Sequence, residues 1–107
     1  MSNYRRGDVV TVLFPFSDGL GAKRRPAVIV REDPPGVFLI CQITTNLGRA
    51  SKSKGCIVKK ASEEGARMGI DSDSFINAEI SICVEAFAFY EKIGTYSGIQ
   101  TIEALMP

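Results

Sequence analysis

The sequence predicts a small, mainly β domain folded as an antiparallel barrel or a curled sheet. Short stretches rich in β-branched residues recur along the chain, and Gly, Pro, Asp and Ser separate them. By length the chain is one domain, residues 1–107. Its hydrophobic content of 45% is spread over the whole length, which is enough for one modest core.

Three strands are predicted in the amino-terminal half. A Gly-Asp pair enters the first strand and Pro15 closes it, while Pro26 stands at the entrance of the second. The sequence Asp-Pro-Pro-Gly at residues 33–36 is a strong turn signal, so strands two and three are expected to form an antiparallel hairpin. The predicted strands are residues 9–14, 27–31 and 37–45, with a flexible glycine-bearing loop at residues 17–21.

The carboxy-terminal half is predicted to mix strands with short helical pieces. Residues 46–54 are small, polar and basic, which is typical of an exposed mobile loop. Residues 60–68 have weak helical character that Gly65 is expected to break. Strands are predicted at residues 56–58, 74–84 and 91–96, an apolar connector with a helical turn at residues 86–90, and a terminal helix at residues 99–106 with Ser97 as its candidate N-cap.

Several classes of protein are disfavoured by composition. No apolar run has the length of a membrane span, and the amino terminus lacks the apolar middle of a signal peptide, so a cytoplasmic protein without membrane contact is expected. Cys41, Cys56 and Cys83 are odd in number and widely spaced, which favours buried free thiols. Because the chain has no Cys-x-x-Cys motif and no histidine, neither a metal site nor a cofactor is expected.

Charge is unevenly distributed although the net charge is only +1. Residues 1–60 carry 11 Lys/Arg against 4 Asp/Glu, whereas residues 61–107 carry 2 against 8. This division predicts either one cationic face suited to a phosphate-bearing partner or two segments that interleave in space and cancel.

Four stretches, in order along the chain, resemble the MazF/PemK family of toxin ribonucleases from bacterial toxin–antitoxin pairs. They are RGDVVTVLFPFSDGLGAKRRPAVIV at residues 6–30, LICQITTN at residues 39–46, DSFINAEI at residues 73–80 and EKIGTYS at residues 91–97. Each motif alone is weakly specific, but the ordered set covers most of the chain.

The resemblance implies an SH3-like β-barrel of the MazF/PemK/CcdB type that acts as a homodimer. It further implies sequence-specific, metal-independent cleavage of single-stranded RNA and a cognate antitoxin protein that covers the RNA groove. By the family's motifs the catalytic residues are Arg25, which stands just before a proline, and Thr44, which closes the third strand.

The chemistry of RNA cleavage is compatible with these two residue types. Arginine is a poor base because its pKa lies above about 12, but its planar fork clamps phosphate well. We therefore expect Arg25 to stabilise the phosphorane and assist protonation of the leaving oxygen, and Thr44 to donate a hydrogen bond to a non-bridging oxygen. The general base is left open, with Asp18 and Glu79 as candidates that are equally readable as surface carboxylates.

Further residues are candidates for binding RNA, each with a plain structural alternative. The basic ones can also be solvated loop residues, the hydroxyls can satisfy the backbone at a strand end, and the aromatic one can belong to the core. These RNA-binding candidates are Lys23, Arg24, Phe16, Thr45, Asn46, Arg49, Lys52 and Lys54.

A second function class competes with the nuclease. A barrel of the same fold class can bind nucleic acid or protein without cutting, and toxins that poison DNA gyrase share this fold class. The pairing of Arg25 with Thr44 favours cleavage over this alternative.

Overall fold

A computed structural model of the chain describes residues 3–13 and 24–107. Within these ranges the protein has six β-strands, two short α-helices and two 3₁₀ turns. The strands are β1 (Asp8–Leu13), β2 (Arg24–Glu32), β3 (Val37–Thr44), β4 (Gly55–Val58), β5 (Ser74–Glu85) and β6 (Phe89–Thr95). The helices are α1 (Glu63–Met68) and α2 (Ile99–Leu105), and the 3₁₀ turns are Leu47–Ser51 and Ala86–Ala88.

All six strands form one antiparallel sheet in the order β4-β5-β3-β2-β1-β6. The mainly β prediction is thereby confirmed, and so is the hairpin of β2 with β3. In the described part of the chain β4 and β6 are edge strands that do not pair with each other, so the SH3-like barrel is not confirmed. Shifts of register interrupt β3–β5, β2–β3 and β1–β6, and such irregularities curl a sheet.

Both faces of the sheet are buried. One face, which we call the helix face, carries Val9, Val28 and Ile43 and packs against Met68 of α1 and Ile102 of α2. The other, the opposite face, packs around fully buried side chains that the start of β6 and the end of β5 cover. They are Val10, Val12, Ala27, Ile29, Phe38 and Ile40. Strand positions alternate between the two faces, so neighbouring residues enter different environments.

Helix α1 forms despite the glycine that was expected to break it. The Ser62 side chain caps the helix by accepting a hydrogen bond from Gly65 N, and Gly69 ends it in the left-handed region at φ 72°. A Cβ atom at Gly65 would lie 2.2 Å from Lys59 O, so the missing side chain permits close packing here. The predicted break at Gly65 is therefore wrong.

Two further predictions need correction near the helical pieces. Gly98 rather than Ser97 is the N-cap of α2, because the Ser97 hydroxyl donates its hydrogen bond to Glu64. The predicted mobile loop at residues 46–54 contains the 3₁₀ turn Leu47–Ser51, which the Asn46 side chain caps. The apolar connector does contain a helical turn, but β6 already begins at Phe89.

The cysteines are free, as predicted, but only Cys41 is buried. Cys56 is half-buried, and Cys83 is exposed because its strand position places it on the outer side of β5. Neither described helix is long and apolar enough to cross a membrane.

Candidate functional site

Arg25 lies near the start of β2, where Pro26 follows it and Val12 of β1 is its strand partner. The proline restricts Arg25 to extended backbone, which is the conformation that a strand requires. Alternation along β2 puts Arg25 on the opposite face, two residues before buried Ala27, and its side chain is half-buried. The side chain that carries the guanidinium is therefore attached to a paired strand at the edge of the core.

Thr44 is the last residue of β3 and is also half-buried. Its Oγ1 accepts a hydrogen bond from Asn46 N at 3.1 Å, so the hydroxyl does satisfy a backbone group at the strand end. That bond uses a lone pair of the oxygen, and the O–H remains able to donate to a ligand.

The strand register puts Arg25 and Thr44 at the same end of the β2–β3 hairpin. The pairing of β2 with β3 ends at Ala27 and Gln42, and Arg25 and Thr44 each lie two residues beyond this last pair. Both residues are on the opposite face, because Ala27 and Ile40 lie there and each residue is an even number of positions away. An arginine fork and a hydroxyl donor therefore lie on one face of the sheet, at the start of β2 and the end of β3.

Cations occur at the start of β2 and in the segment between β3 and β4, and we call this group the basic strand end. Its members are Arg24, Arg25, Arg49, Lys52 and Lys54, and none of them forms an ion pair within residues 3–13 and 24–107. The Arg24 guanidinium lies 4.0 Å above the Tyr90 ring centroid, which is a cation–π contact. The other cations of the group are exposed, apart from half-buried Arg25.

Elsewhere, charged residues of the segment 1–60 form ion pairs with oppositely charged residues of the segment 61–107. Four of the five ion pairs among the described residues join a residue before position 61 to one after it, including the pair of Lys59 with Asp73. Glu103 of α2 binds Arg6 at 2.7 Å and Arg31 at 3.2 Å. The Arg6 hydrogen bond, aided by Arg31, holds the pKa of the Glu103 carboxyl below its ordinary value. Both sequence expectations are therefore partly met, because the segments interleave and leave one basic end.

The remaining predicted residues separate into three groups. Thr45 is exposed and turns to the helix face, away from Thr44. Glu79 lies four residues along β5 from Phe75, the partner of Thr44, and accepts a hydrogen bond from Lys54 N at 2.8 Å. Lys23, Phe16 and Asp18 lie outside the described residues.

The structure also shows a cavity that the sequence did not reveal. It has a volume of about 380 Å³ and lies on the helix face beside the same strand end. Thr11, Arg24, Thr45, Asp71 and Glu91 are among its lining residues. They come from β1, β2, β6 and two loops, and no local motif joins them. The only sequence signal was the polar run DSDS at residues 71–74.

Burial keeps two other reactive side chains, Cys41 and Tyr96, in their protonated forms. Burial raises the pKa of the Cys41 thiol to about 11, so it stays protonated and is a poor nucleophile at neutral pH. Burial, with a hydrogen bond to Cys56, raises the pKa of the Tyr96 phenol. Among the described residues, no three His, Cys, Asp or Glu side chains form a group that could hold a metal ion.

Comparison with known proteins agrees with the resemblance seen in the sequence. The model of the family described as PemK-like, MazF-like toxin of type II toxin–antitoxin system matches residues 5–105. In a sequence search no curated protein matches the chain. The matched range includes both Arg25 and Thr44 and covers nearly the whole sequence. The chain therefore belongs to the PemK-like, MazF-like family of toxins from type II toxin–antitoxin systems.

Proposed function

We propose that this protein is an endoribonuclease that cuts single-stranded RNA at the ends of β2 and β3 without a metal ion. The observation that carries the proposal is that Arg25 and Thr44 lie on one face of the sheet, each two residues beyond the last pair of β2 with β3. Family membership supports it, because the matched range contains both residues. The cations of the basic strand end, which form no ion pair with any described residue, supply the charge that an RNA backbone needs.

The reaction is an internal transesterification. The ribose 2′-hydroxyl loses its proton to solvent as its oxygen attacks the adjacent phosphorus, and the bond from phosphorus to the 5′-oxygen breaks. The 5′-oxygen takes up a proton with the assistance of Arg25, which gives a 2′,3′-cyclic phosphate and a 5′-hydroxyl end. Negative charge accumulates on the non-bridging oxygens in the transition state. Directed donors that are already in place stabilise such charge, and the loss of one typically costs about 10²–10³-fold in rate.

Arg25 and Thr44 divide the donor roles. The Arg25 fork offers several N–H groups in fixed geometry, and its strand position limits the entropy lost on binding a phosphorane. Thr44 donates its hydroxyl proton to a second oxygen while Asn46 N holds the hydroxyl oxygen in place. Glu79, which is four residues along β5 from the partner of Thr44 and already holds Lys54 N, is not assigned the proton abstraction.

The cations of the basic strand end bind the RNA on either side of the cut. Arg49 and Lys52 belong to the 3₁₀ turn that follows Thr44 or to its cap, and Lys54 precedes β4. These exposed side chains contact phosphates without reading sequence. Raised salt is therefore expected to weaken RNA binding steeply.

A homodimer is part of the proposal. Phe87 is 86% exposed and Tyr90 is 47% exposed, next to half-buried apolar residues at the end of β5. An aromatic surface of this kind is typical of a protein interface. Light scattering at micromolar concentration is expected to give twice the monomer mass, and a monomeric mass would contradict the dimer.

The cognate partner follows from the family, since a type II toxin has a protein antitoxin. We infer that this antitoxin covers the basic strand end and thereby blocks RNA. A small reading frame adjacent to the gene, whose product copurifies with the chain and suppresses RNA cleavage, is the expected finding.

One assay tests the proposed reaction. The purified chain in EDTA is mixed with a single-stranded RNA of mixed sequence and, separately, with a duplex that contains the same strand. We expect cleavage of the single strand, with cyclic phosphate and 5′-hydroxyl ends, and no cleavage of the duplex. Cleavage that appears only when Mg²⁺ is added would contradict the assignment, and binding without any cleavage would favour the non-catalytic binding module.

A further inference from the structure

The cavity on the helix face lies one residue step away from the proposed catalytic pair. Arg24 and Pro26, which flank Arg25, line it, and so does Thr45, which follows Thr44. Neighbouring strand residues project to opposite faces, so the catalytic pair and the cavity are on the two sides of one strand end. A single strand of RNA that bends around the start of β2 and the end of β3 can place a phosphate beside the catalytic pair and a base in the cavity.

The cavity has the size and the walls of a site for a small planar group. Its volume of about 380 Å³ lies toward the lower end of the range for ligand pockets, roughly 300–1,000 Å³. Apolar walls come from Pro26, Ile70 and Ile93, and polar groups stand between them. Apolar walls with a few convergent polar groups are the usual composition of a pocket that fixes the orientation of its ligand.

Two carboxylates of the wall have no side-chain partner in the part of the chain that the structure describes. Asp71 and Glu91 form no ion pair or side-chain hydrogen bond among the described residues, although Asp73 nearby is engaged by Lys59 and Lys60. Asp71 and Glu91 are exposed, so their carboxylates can accept hydrogen bonds from a ligand. Thr11 Oγ1 behind the wall is buried and has no hydrogen-bond partner among the described residues.

The register aligns several of these wall residues. Thr11 of β1 pairs with Pro26 on one side and with Glu91 on the other, so three wall residues occupy one row across β2, β1 and β6. Arg24 is held over the Tyr90 ring at 4.0 Å, which fixes the cation of the wall. Asp71 faces this row from the loop between α1 and β5.

The charges of the wall select among the groups that an RNA strand can present. Two carboxylates against one guanidinium repel a phosphate and favour a ligand with N–H donors. Among the four bases, only guanine offers two adjacent donors, N1–H and the 2-amino group, on its Watson–Crick edge. A carboxylate accepts both at once, and arginine can bind the O6 and N7 acceptors of the same base.

We propose that the cavity formed by Thr11, Arg24, Asp71 and Glu91 binds a guanine base. The inference rests on the proposed function for the source of that base, which is a nucleotide of the RNA substrate beside the cleaved bond. A carboxylate of Asp71 or Glu91 accepts from the Watson–Crick edge, and Arg24 donates to the far edge. The cavity then reads the sequence of the RNA, whereas the other cations of the basic strand end hold its backbone.

The first test needs no catalysis. The ¹⁵N-labelled full chain is titrated separately with GMP, IMP, AMP, CMP and UMP, and the amide shifts of the cavity residues are followed. All five ligands share the phosphate, so differences among them come from the base. GMP is expected to shift the cavity amides with an affinity about tenfold or more above that of AMP, with IMP intermediate because it lacks the 2-amino group. Equal shifts with all five nucleotides, or none at the cavity, would overturn the proposal.

Variants separate base recognition from a general effect of charge. Asp71→Asn combined with Glu91→Gln removes both carboxylates and should abolish the preference for GMP. Asp33→Asn combined with Glu85→Gln makes the same change in net charge at two exposed positions outside the cavity and should keep it. A preference for GMP that survives in the cavity variant would show that these carboxylates do not read the base.

The second test asks whether the base belongs to the substrate. A pool of randomised RNA is cut in EDTA by the wild type and by the cavity variant, and the ends are sequenced. We expect guanine to be enriched about tenfold at one position next to the cut by the wild type and not by the variant, which still cuts. Cleavage without a guanine preference would refute the claim that the cavity binds a base of the substrate, although the proposed nuclease activity would stand. Absence of any cleavage would refute the proposed function, and the nucleotide titration would still decide whether the cavity binds guanine.

Discussion

Replacing Thr44 by alanine separates a catalytic hydroxyl from a structural one, because the two roles predict different free energies. In the folded protein Thr44 Oγ1 accepts one hydrogen bond, from the backbone N–H of Asn46, at an exposed site. A typical hydrogen bond contributes about 0.5–1.5 kcal/mol to stability, and water replaces one at an exposed position. The variant should therefore lose no more than about 1 kcal/mol of unfolding free energy.

The expected effect on the reaction is larger. A donor aimed at the charge of the transition state contributes about 2.7–4 kcal/mol, so Thr44→Ala should cut RNA about 10²–10³-fold more slowly. Thr44→Ser keeps the hydroxyl and should retain most of the rate. Thr95→Ala, at the exposed end of β6, removes a comparable hydroxyl far from the proposed site and should change neither quantity.

The assay pairs urea unfolding with single-turnover cleavage at saturating enzyme. A Thr44→Ala protein that is nearly as stable as the wild type and cuts as fast would refute the donor role. A loss of rate accompanied by a loss of several kcal/mol in stability would show that Thr44 acts through the fold instead.

The remaining predictions concern the fold that supports the site. Ile102→Ala removes three carbons from a fully buried position of α2, which at about 0.8 kcal/mol per methylene plus a cavity penalty should cost about 2–5 kcal/mol in urea unfolding. Gln100→Ala on the exposed side of α2 should stay within about 0.5 kcal/mol of the wild type, and similar values for both would contradict the packing described. Because the pKa of Glu103 is lowered in the folded state, its ionised form stabilises the protein at neutral pH, and this contribution is lost as the pH falls through the folded pKa. Glu103→Gln should therefore lower the melting temperature at about pH 7 and narrow its difference from the wild type at about pH 3, whereas a difference that is constant with pH would contradict the ion pairs with Arg6 and Arg31.

The sequence predicted the strands well because the β pattern is local. β-Branched runs bounded by Gly and Pro gave β1, β3 and β5 to within a residue or two of the observed ends. Strand β2 is longer than predicted, since it begins at Arg24 rather than Ala27. The polar and proline residues at the start of β2 are untypical of a strand, so the sequence did not predict that this part pairs with Val12 and Leu13 of β1.

The barrel expectation shows what a linear pattern lacks. Strand number and alternation do not determine whether β4 and β6 meet, because closure depends on register shifts between distant strands. Helix α1 is a similar case, in which a cap at Ser62 outweighed the low helical propensity of Gly65. The hydroxyl of Ser97 does not cap α2, because it donates its hydrogen bond to Glu64.

Only part of the candidate site was predictable from the sequence. Arg25 and Thr44 were identified by a resemblance to motifs, and the register of β2 and β3 then gave them a common face. The cavity was not predictable, because Thr11, Asp71 and Glu91 are far apart in sequence and meet only through the pairing of β1 with β6 and the loop after α1.

The most direct test of the central claim is the single-turnover rate of Arg25→Lys in EDTA, measured beside its affinity for a non-cleavable 2′-deoxy analogue of the substrate. Lysine keeps the positive charge and loses the planar fork, and Arg67→Lys makes the same exchange at an exposed position of α1 as the control. If Arg25 clamps the phosphorane, Arg25→Lys should bind the analogue nearly as well as the wild type and cut about 10²–10³-fold more slowly, while the control cuts normally. Cleavage by Arg25→Lys at the wild-type rate would contradict the account.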